Sequence, residues 1–147
     1  MSTKTFEDVE VGFAWRSQRR TVTEADVVGF AGLSGDFNPL HMDQEFAKTT
    51  IFGQRIAHGL LGLSMASGLR DDEPSWAIMA FMGLDWKFVK PIFIGDTVFV
   101  RSEVKNKKDL GKGDRGIVVL SRQLVNQREE VTQEGTFTLL LSKKNAA

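Results

Sequence analysis

The eleven residues Gly59–Leu69, GLLGLSMASGL, carry no charge and present an apolar or small side chain on every side. A helix built from them has no polar face to turn to water, so other parts of the fold must cover it. Its small members, Gly59, Gly62, Ser64, Ala66, Ser67 and Gly68, let backbone or a ligand approach closely. At this length, and interrupted by glycine and serine, the segment is too short for a bilayer span and reads as a core helix.

The covering layer is legible downstream. MAFMGLDWKFV alternates partly between apolar and polar residues and ends at Pro91. Phe93–Val104 reads as a second strand behind a Gly95–Asp96 turn, and KDLGKGDRG as a charged, glycine-rich turn. GIVVLSRQLVNQ and EVTQEGTFTLLLS then form a pair of strands around a Gln127–Glu130 turn. With an early strand over Phe13–Thr21, about five strands are expected, the last four as an antiparallel meander.

Upstream of the apolar segment the pattern is helical. Thr23 can cap a helix whose first turn carries Glu24 and Asp26, and Gly35 is placed to stop it. Asp36 to His41 reads as a loop, because Pro39 drives Asn38 out of the helical region. Gln44–Thr50 suggests a short helix, and Gly53 breaks the chain. The architecture implied is α+β, an antiparallel sheet around one buried helix, in a single domain over residues 1–147. One helix covers such a sheet poorly at its ends, so a homodimer or higher homo-oligomer is expected.

Composition narrows the chemistry. Lysine plus arginine equals aspartate plus glutamate at 19 each, so there is no basic excess of the kind that marks nucleic-acid binding. The absence of cysteine excludes disulfides, thiolate metal sites and cysteine nucleophiles. The segment MSTKTFEDVEVG has acids where a signal peptide needs an apolar stretch, so a cytoplasmic protein with no membrane attachment is expected.

Both histidines of the chain, His41 and His58, fall close to Asp36 in sequence. Asp36 and His41, on a loop stiffened by Asn38–Pro39, could converge on one water as an acid/base pair. The same spacing also fits a turn closed by Asp36 with His41 as a half-buried polar residue. Gly59 opens the apolar helix, so its N–H is an unpaired first-turn donor that could stabilise an oxyanion, or simply a residue that permits a tight bend. His58 reads as a hydrogen-bonded positioning residue. Ser64 and Ser67 could reach a ligand or bond their own backbone. A zinc site from Asp36, His41 and His58 lacks any supporting spacing such as HExxH, so no metal is expected. No nucleophile elbow GxSxG occurs, and KNKKDLGKGDRG lacks Walker spacing and fits a solvated hairpin tip.

Taken as a run, SGDFNPLHMD followed downstream by IAHG closely resembles the signature of the MaoC-like, R-specific enoyl-CoA hydratases. LDWKFVKPIFIGDTVFVRSEV is similar to the strand–proline–strand segment of that family, so the resemblance covers nearly the whole chain. It implies a hot-dog fold, a curved antiparallel sheet wrapped round a long helix, in a homodimer. It implies that Asp36 and His41 are the catalytic pair holding one water, and that Gly59 N–H binds the thioester oxygen. Ser67 matches a serine near the site, and Asn38 matches an asparagine that helps order the loop. His58, within the matching AHG, keeps its reading as a positioning residue. The implied reaction is reversible hydration of a trans-2-enoyl-CoA to an (R)-3-hydroxyacyl-CoA. It needs no cofactor beyond the coenzyme A of the substrate, whose phosphates have Arg19, Arg20, Lys87 and Lys90 as candidate partners. The competing expectations are a hot-dog acyl-CoA thioesterase and a non-catalytic acyl-binding dimeric subunit.

Overall fold

The computed structural model describes residues 3–70, 75–111 and 113–144. Four long strands, β3 (Ile78–Phe88), β4 (Thr97–Asp109), β5 (Arg115–Val125) and β6 (Val131–Ser142), form an antiparallel sheet extended by β1 (Ala14–Arg16) and β2 (Arg20–Thr21). The order is β1-β4-β5-β6-β3, with β2 also on β4. Among the described residues the sheet therefore has six strands, and the expected four-strand meander is a three-strand one, β4-β5-β6. β3 lies beyond β6, paired from Ile78↔Leu141 to Phe88↔Gln133 with register shifts between Ile78 and Ala80 and between Phe81 and Gly83.

The cause lies in the connection 89–96. A hairpin from β3 to β4 would need a tight turn of two to about five residues. Instead Val89 and Lys90 both donate to the Thr132 carbonyl, Pro91 has no N–H to give, and Ile92 is buried, its carbonyl accepting from Ala57 N at 2.7 Å. The chain thus crosses beneath the apolar helix before entering β4. Phe93–Asp96 is a turn rather than strand: Asp96 Oδ2 accepts from Phe93 N at 2.9 Å.

The early strand is also broken in two. Ser17 N donates to the Val100 carbonyl, and its hydroxyl accepts from Val100 N at 2.9 Å. A side chain thus replaces one rung of the ladder and lets the chain bulge between β1 and β2.

Of the helices, α1 (Glu24–Ser34) starts and stops where the sequence suggests. Thr23 Oγ1 accepts from Asp26 N while Asp26 Oδ2 accepts from Thr23 N, a reciprocal capping box. Gly35 closes the helix at φ 77°, in the left-handed region. The expected Asp36–His41 loop contains one helical turn, α2 (Pro39–Met42). Asn38 is extended, as a residue before proline must be, but Pro39 sits at the first helical position, where its missing N–H costs nothing. α3 (Gln44–Lys48) ends before Thr50, because the Thr49 and Thr50 hydroxyls bond back to the Phe46 and Ala47 carbonyls.

The apolar segment is α4 (Gly59–Gly68). Leu61, Gly62, Met65 and Ala66 are buried, packed with Val22, Val27, Ala57, Ile92, Val98, Val100 and Leu124. A second cluster, Phe6, Val9, Val104, Val118, Leu120, Phe137, Leu139 and Leu141, fills the other end of the sheet. Each large apolar side chain buried here contributes about 1.5–3 kcal/mol. Coverage of α4 is one-sided, contrary to expectation: Leu60, Ser64, Ser67 and Gly68 face outward, because a single sheet reaches only one face of the helix. Edge strand β3 also leaves Phe81, Met82, Leu84 and Phe88 exposed. Among the described residues, no helix is long and apolar enough to cross a membrane.

Candidate active site

Asp36, His41 and His58 come together where α1, α2 and the start of α4 meet. The turn after α1 is held by its own polar groups. Ser34 Oγ accepts from Asp36 N, Asp36 Oδ1 accepts from Asn38 N at 3.2 Å, and Asn38 Oδ1 accepts from Leu40 N at 3.0 Å. Asn38 thus caps α2 and its backbone steadies the Asp36 carboxylate. Since α2 begins at Pro39, His41 falls on its first turn and points back over Asp36.

The tautomer of His41 follows from its partner. Nδ1 lies 2.8 Å from the Ile56 carbonyl oxygen, which can only accept, so Nδ1 carries the proton. Nε2 is left with a lone pair, 3.9 Å from Asp36 Oδ2. That separation is too long for a direct hydrogen bond and lets both atoms contact one water oxygen at ~2.8 Å each. The His41 side chain is 12% exposed and that of Asp36 51%, so the imidazole is fixed from behind while the carboxylate faces out.

His58 is buried and lies flat against His41, with ring centroids 3.9 Å apart and planes 28° apart. Its Nε2 donates to the Asp36 backbone carbonyl at 2.9 Å, which ties the start of α4 to the loop bearing the carboxylate. Phe30 closes the other side of the ring at 5.0 Å. His58 Nδ1 is buried without a partner among the described residues, as suits a neutral imidazole. One oxygen of Asp36 and one nitrogen of each histidine lie within 4.8 Å of one another. With the two rings stacked and their planes 28° apart, aiming both in-plane lone pairs at one shared ion is geometrically unfavourable.

Gly59 follows directly. His58 makes no side-chain cap, and Leu61 N is the first amide of the helix to find an acceptor, the His58 carbonyl. The amides of Gly59 and Leu60 thus come before the first bonded donor. Among the described residues neither amide has an acceptor. The two donors sit at the positive end of the α4 dipole, directly after His58 in the chain. A side chain at position 59 would run into the Phe88 ring, at 2.9 Å from its Cβ.

Ser67 is not brought to this centre. It lies eight residues along α4 from Gly59, ~12 Å on at helical rise, exposed, with its hydroxyl donating to the Ser64 carbonyl. Ser64 likewise donates to Leu60 O. Of the basic candidates, Lys90 is paired with Glu130 and Arg20 with Asp26, Arg19 lies over the Phe99 ring, and Lys87 is exposed on β3.

Two contributors were missed from the sequence. Ile56 acts through its carbonyl, which no side-chain motif reveals. Arg55 pairs with Glu24 through both guanidinium nitrogens and reaches the His41 carbonyl at 3.4 Å, so it fastens α2 to α1. The guanidinium holds the Glu24 carboxyl below its ordinary range. Their separation along the chain hid the pairing.

Known proteins resemble this chain in sequence and in fold. Residues 10–125 match the family model described as MaoC like domain. Over 121 residues the chain is 36% identical to an (R)-specific enoyl-CoA hydratase of Aeromonas caviae, covering 82% of this chain and 87% of that protein. It is 42% identical over 105 residues to Protein MaoC of Klebsiella aerogenes, covering 71% of this chain but spanning only 31% of that longer protein. A solved structure described as a monoamine oxidase regulatory protein from Archaeoglobus fulgius superposes with a TM-score of 0.90 at 39% identity, covering 97% of this chain and 96% of the other.

Proposed function

Because this chain belongs to the MaoC-like domain family and has its hot-dog fold, we propose that it is a hydro-lyase that adds water to trans-2-enoyl-CoA thioesters, giving (R)-3-hydroxyacyl-CoA, and runs the reverse dehydration. The observation that carries the reading is a His41 Nε2 lone pair set 3.9 Å from Asp36 Oδ2, together with the unpaired amides that begin α4. The Aeromonas relative, named as an (R)-specific enoyl-CoA hydratase, supports the choice of reaction.

In this mechanism Asp36 and His41 hold one water. His41 Nε2, whose lone pair lies nearest the Asp36 carboxylate, takes a proton as the water oxygen bonds to the β-carbon of the enoyl group. The π electrons move toward the thioester oxygen, and the enolate-like charge settles on Gly59 N–H and the helix N-terminus. A proton from the dyad then completes the α-carbon, so the added atoms are those of one water. The reaction asks for a base, an acid and an oxyanion donor, and coenzyme A serves as the substrate's handle rather than as a cofactor. Ser67, far from the water, would line the substrate channel rather than touch the reacting atoms.

The enzyme works as a homodimer in this reading, without a nucleic acid or membrane partner, in the cytoplasm. The exposed side of α4, the open β3 edge and the half-exposed Asp36 all support a second copy completing the substrate channel.

The test is to mix purified protein with a short trans-2-enoyl-CoA and follow both the enoyl absorbance and free thiol. Loss of absorbance without thiol supports hydration. Thiol release would instead support the hot-dog thioesterase alternative. No change with folded protein, across several acyl lengths, would leave only an acyl-binding subunit.

A further inference from the structure

A buried polar chain beneath α4 has no part in holding the water. Gln133, on β6, is 2% exposed, yet both ends of its amide are used. Trp86 Nε1 donates to Gln133 Oε1 at 2.9 Å, and Gln133 Nε2 donates to the Gly59 carbonyl at 3.0 Å. An indole can only donate and a carbonyl can only accept, so the amide has one orientation. Trp86 is itself packed against both core clusters, which fixes the start of the chain of bonds. Gly62 is shaped to this arrangement: a Cβ there would lie 2.3 Å from Gln133 Nε2.

We propose that Gln133, oriented by Trp86, is a positioning residue for the oxyanion turn at the start of α4. The Gly59 carbonyl belongs to the same peptide unit as the unpaired Leu60 N–H. A hydrogen bond to that oxygen draws electron density through the amide and makes the N–H a better donor. It also tethers the first turn to the sheet, so that the Gly59 and Leu60 amides keep one direction while charge develops on the substrate. Among the described residues the turn is otherwise held by helical bonds, by His58 and by the Ala57 N–H on the Ile92 carbonyl just before it. A buried amide is costly unless satisfied, and here its donor is spent on one backbone oxygen at the turn. The inference rests on the hydratase reading, with Gly59 N–H as the oxyanion donor.

The experiment compares wild type with Gln133→Met, Gln133→Glu and Trp86→Phe by enoyl-CoA hydration kinetics and by the backbone amide signals of Gly59 and Leu60 in NMR. Folded Gln133→Met should lose about tenfold in kcat, less than the 10²–10³ of losing an oxyanion donor outright. Its KM should stay within about twofold, and its pH limits, which belong to the dyad, should not move. Gln133→Glu should gain a pH dependence of its own. The neutral acid can still donate to Gly59 O, whereas the carboxylate cannot, so kcat falls as pH rises through that titration. Trp86→Phe, which frees the amide without removing it, should show a smaller loss and decides the matter if Gln133→Met does not fold. A kcat within twofold of wild type in the folded variants overturns the proposal. So do unchanged Gly59 and Leu60 amide signals in Gln133→Met, a result that needs no turnover. Wild type lacking hydration activity would sink the hydratase reading instead, leaving the amide signals to decide whether Gln133 positions the turn.

Discussion

His41 and His58 differ in what their ring nitrogens are given to do. Each donates one N–H to a backbone carbonyl, Ile56 O for His41 and Asp36 O for His58, but only His41 turns its remaining lone pair toward the Asp36 carboxylate. Asp36→Asn or His41→Ala should therefore lower kcat by roughly 10²–10⁴, the range for loss of an acid/base group, while the protein stays folded. Steady-state hydration rates with circular dichroism as the folding check would measure it, and a near-wild-type rate in either variant contradicts the role. The residues of this centre were legible because Asp36, Asn38, Pro39 and His41 lie in one short run whose turn chemistry is local. The partners from elsewhere, Arg55 on Glu24 and Gln133 on Gly59, were not, because the fold alone brings them together.

Among the elements, α4 shows how an apolar helix can still be specific. Gly62→Ala would push a methyl group into Gln133 Nε2 and the Ile92 side chain, whose Cδ1 lies at 2.8 Å from that Cβ position. Overpacking of this kind should cost about 1–3 kcal/mol in denaturant unfolding, and a stabilised variant would show that the contact gives way freely. The β5–β6 turn makes a second prediction. Hydrogen bonds from Lys90, Arg128 and Asn126 hold the Glu130 carboxyl at a pKa of about 2, below the ordinary 4.5 of a glutamate. A depressed pKa contributes stability above the unfolded value, and that contribution is lost as pH falls from near 4.5 toward 2. Glu130→Gln should flatten the acid limb of the stability curve in that window, and an unchanged limb would show that the turn is not coupled to unfolding. Strands were readable from partial alternation and the turns between them, and α1 from its capping threonine, first-turn acids and closing glycine. The turn inside 36–41 was not, since Pro39 signals both a break and a first helical position.

For the whole molecule, the sheet order was the part the sequence could not supply. β3 precedes β4 in the chain, yet it lies across the sheet, because residues 89–96 bond to Thr132, Ala57 and Val22 rather than turning back. Such pairings depend on contacts between distant residues, which local patterns do not encode. The consequence is an edge strand with exposed Phe81, Met82 and Leu84, the place where a second copy would dock. On the homodimer proposed above, Leu84→Lys should shift the sedimentation from dimer toward monomer and reduce hydration in proportion. An unchanged dimer would move the interface elsewhere, and a wild-type monomer would contradict the proposal.

The central claim, that the Asp36–His41 water ends on the substrate, is tested most directly by running the reaction with a short trans-2-enoyl-CoA in heavy-oxygen water. The account predicts one heavy oxygen on the β-carbon of an intact 3-hydroxyacyl-CoA of R configuration. Heavy oxygen in the carboxyl group of a free acid, or in no product at all, would contradict it.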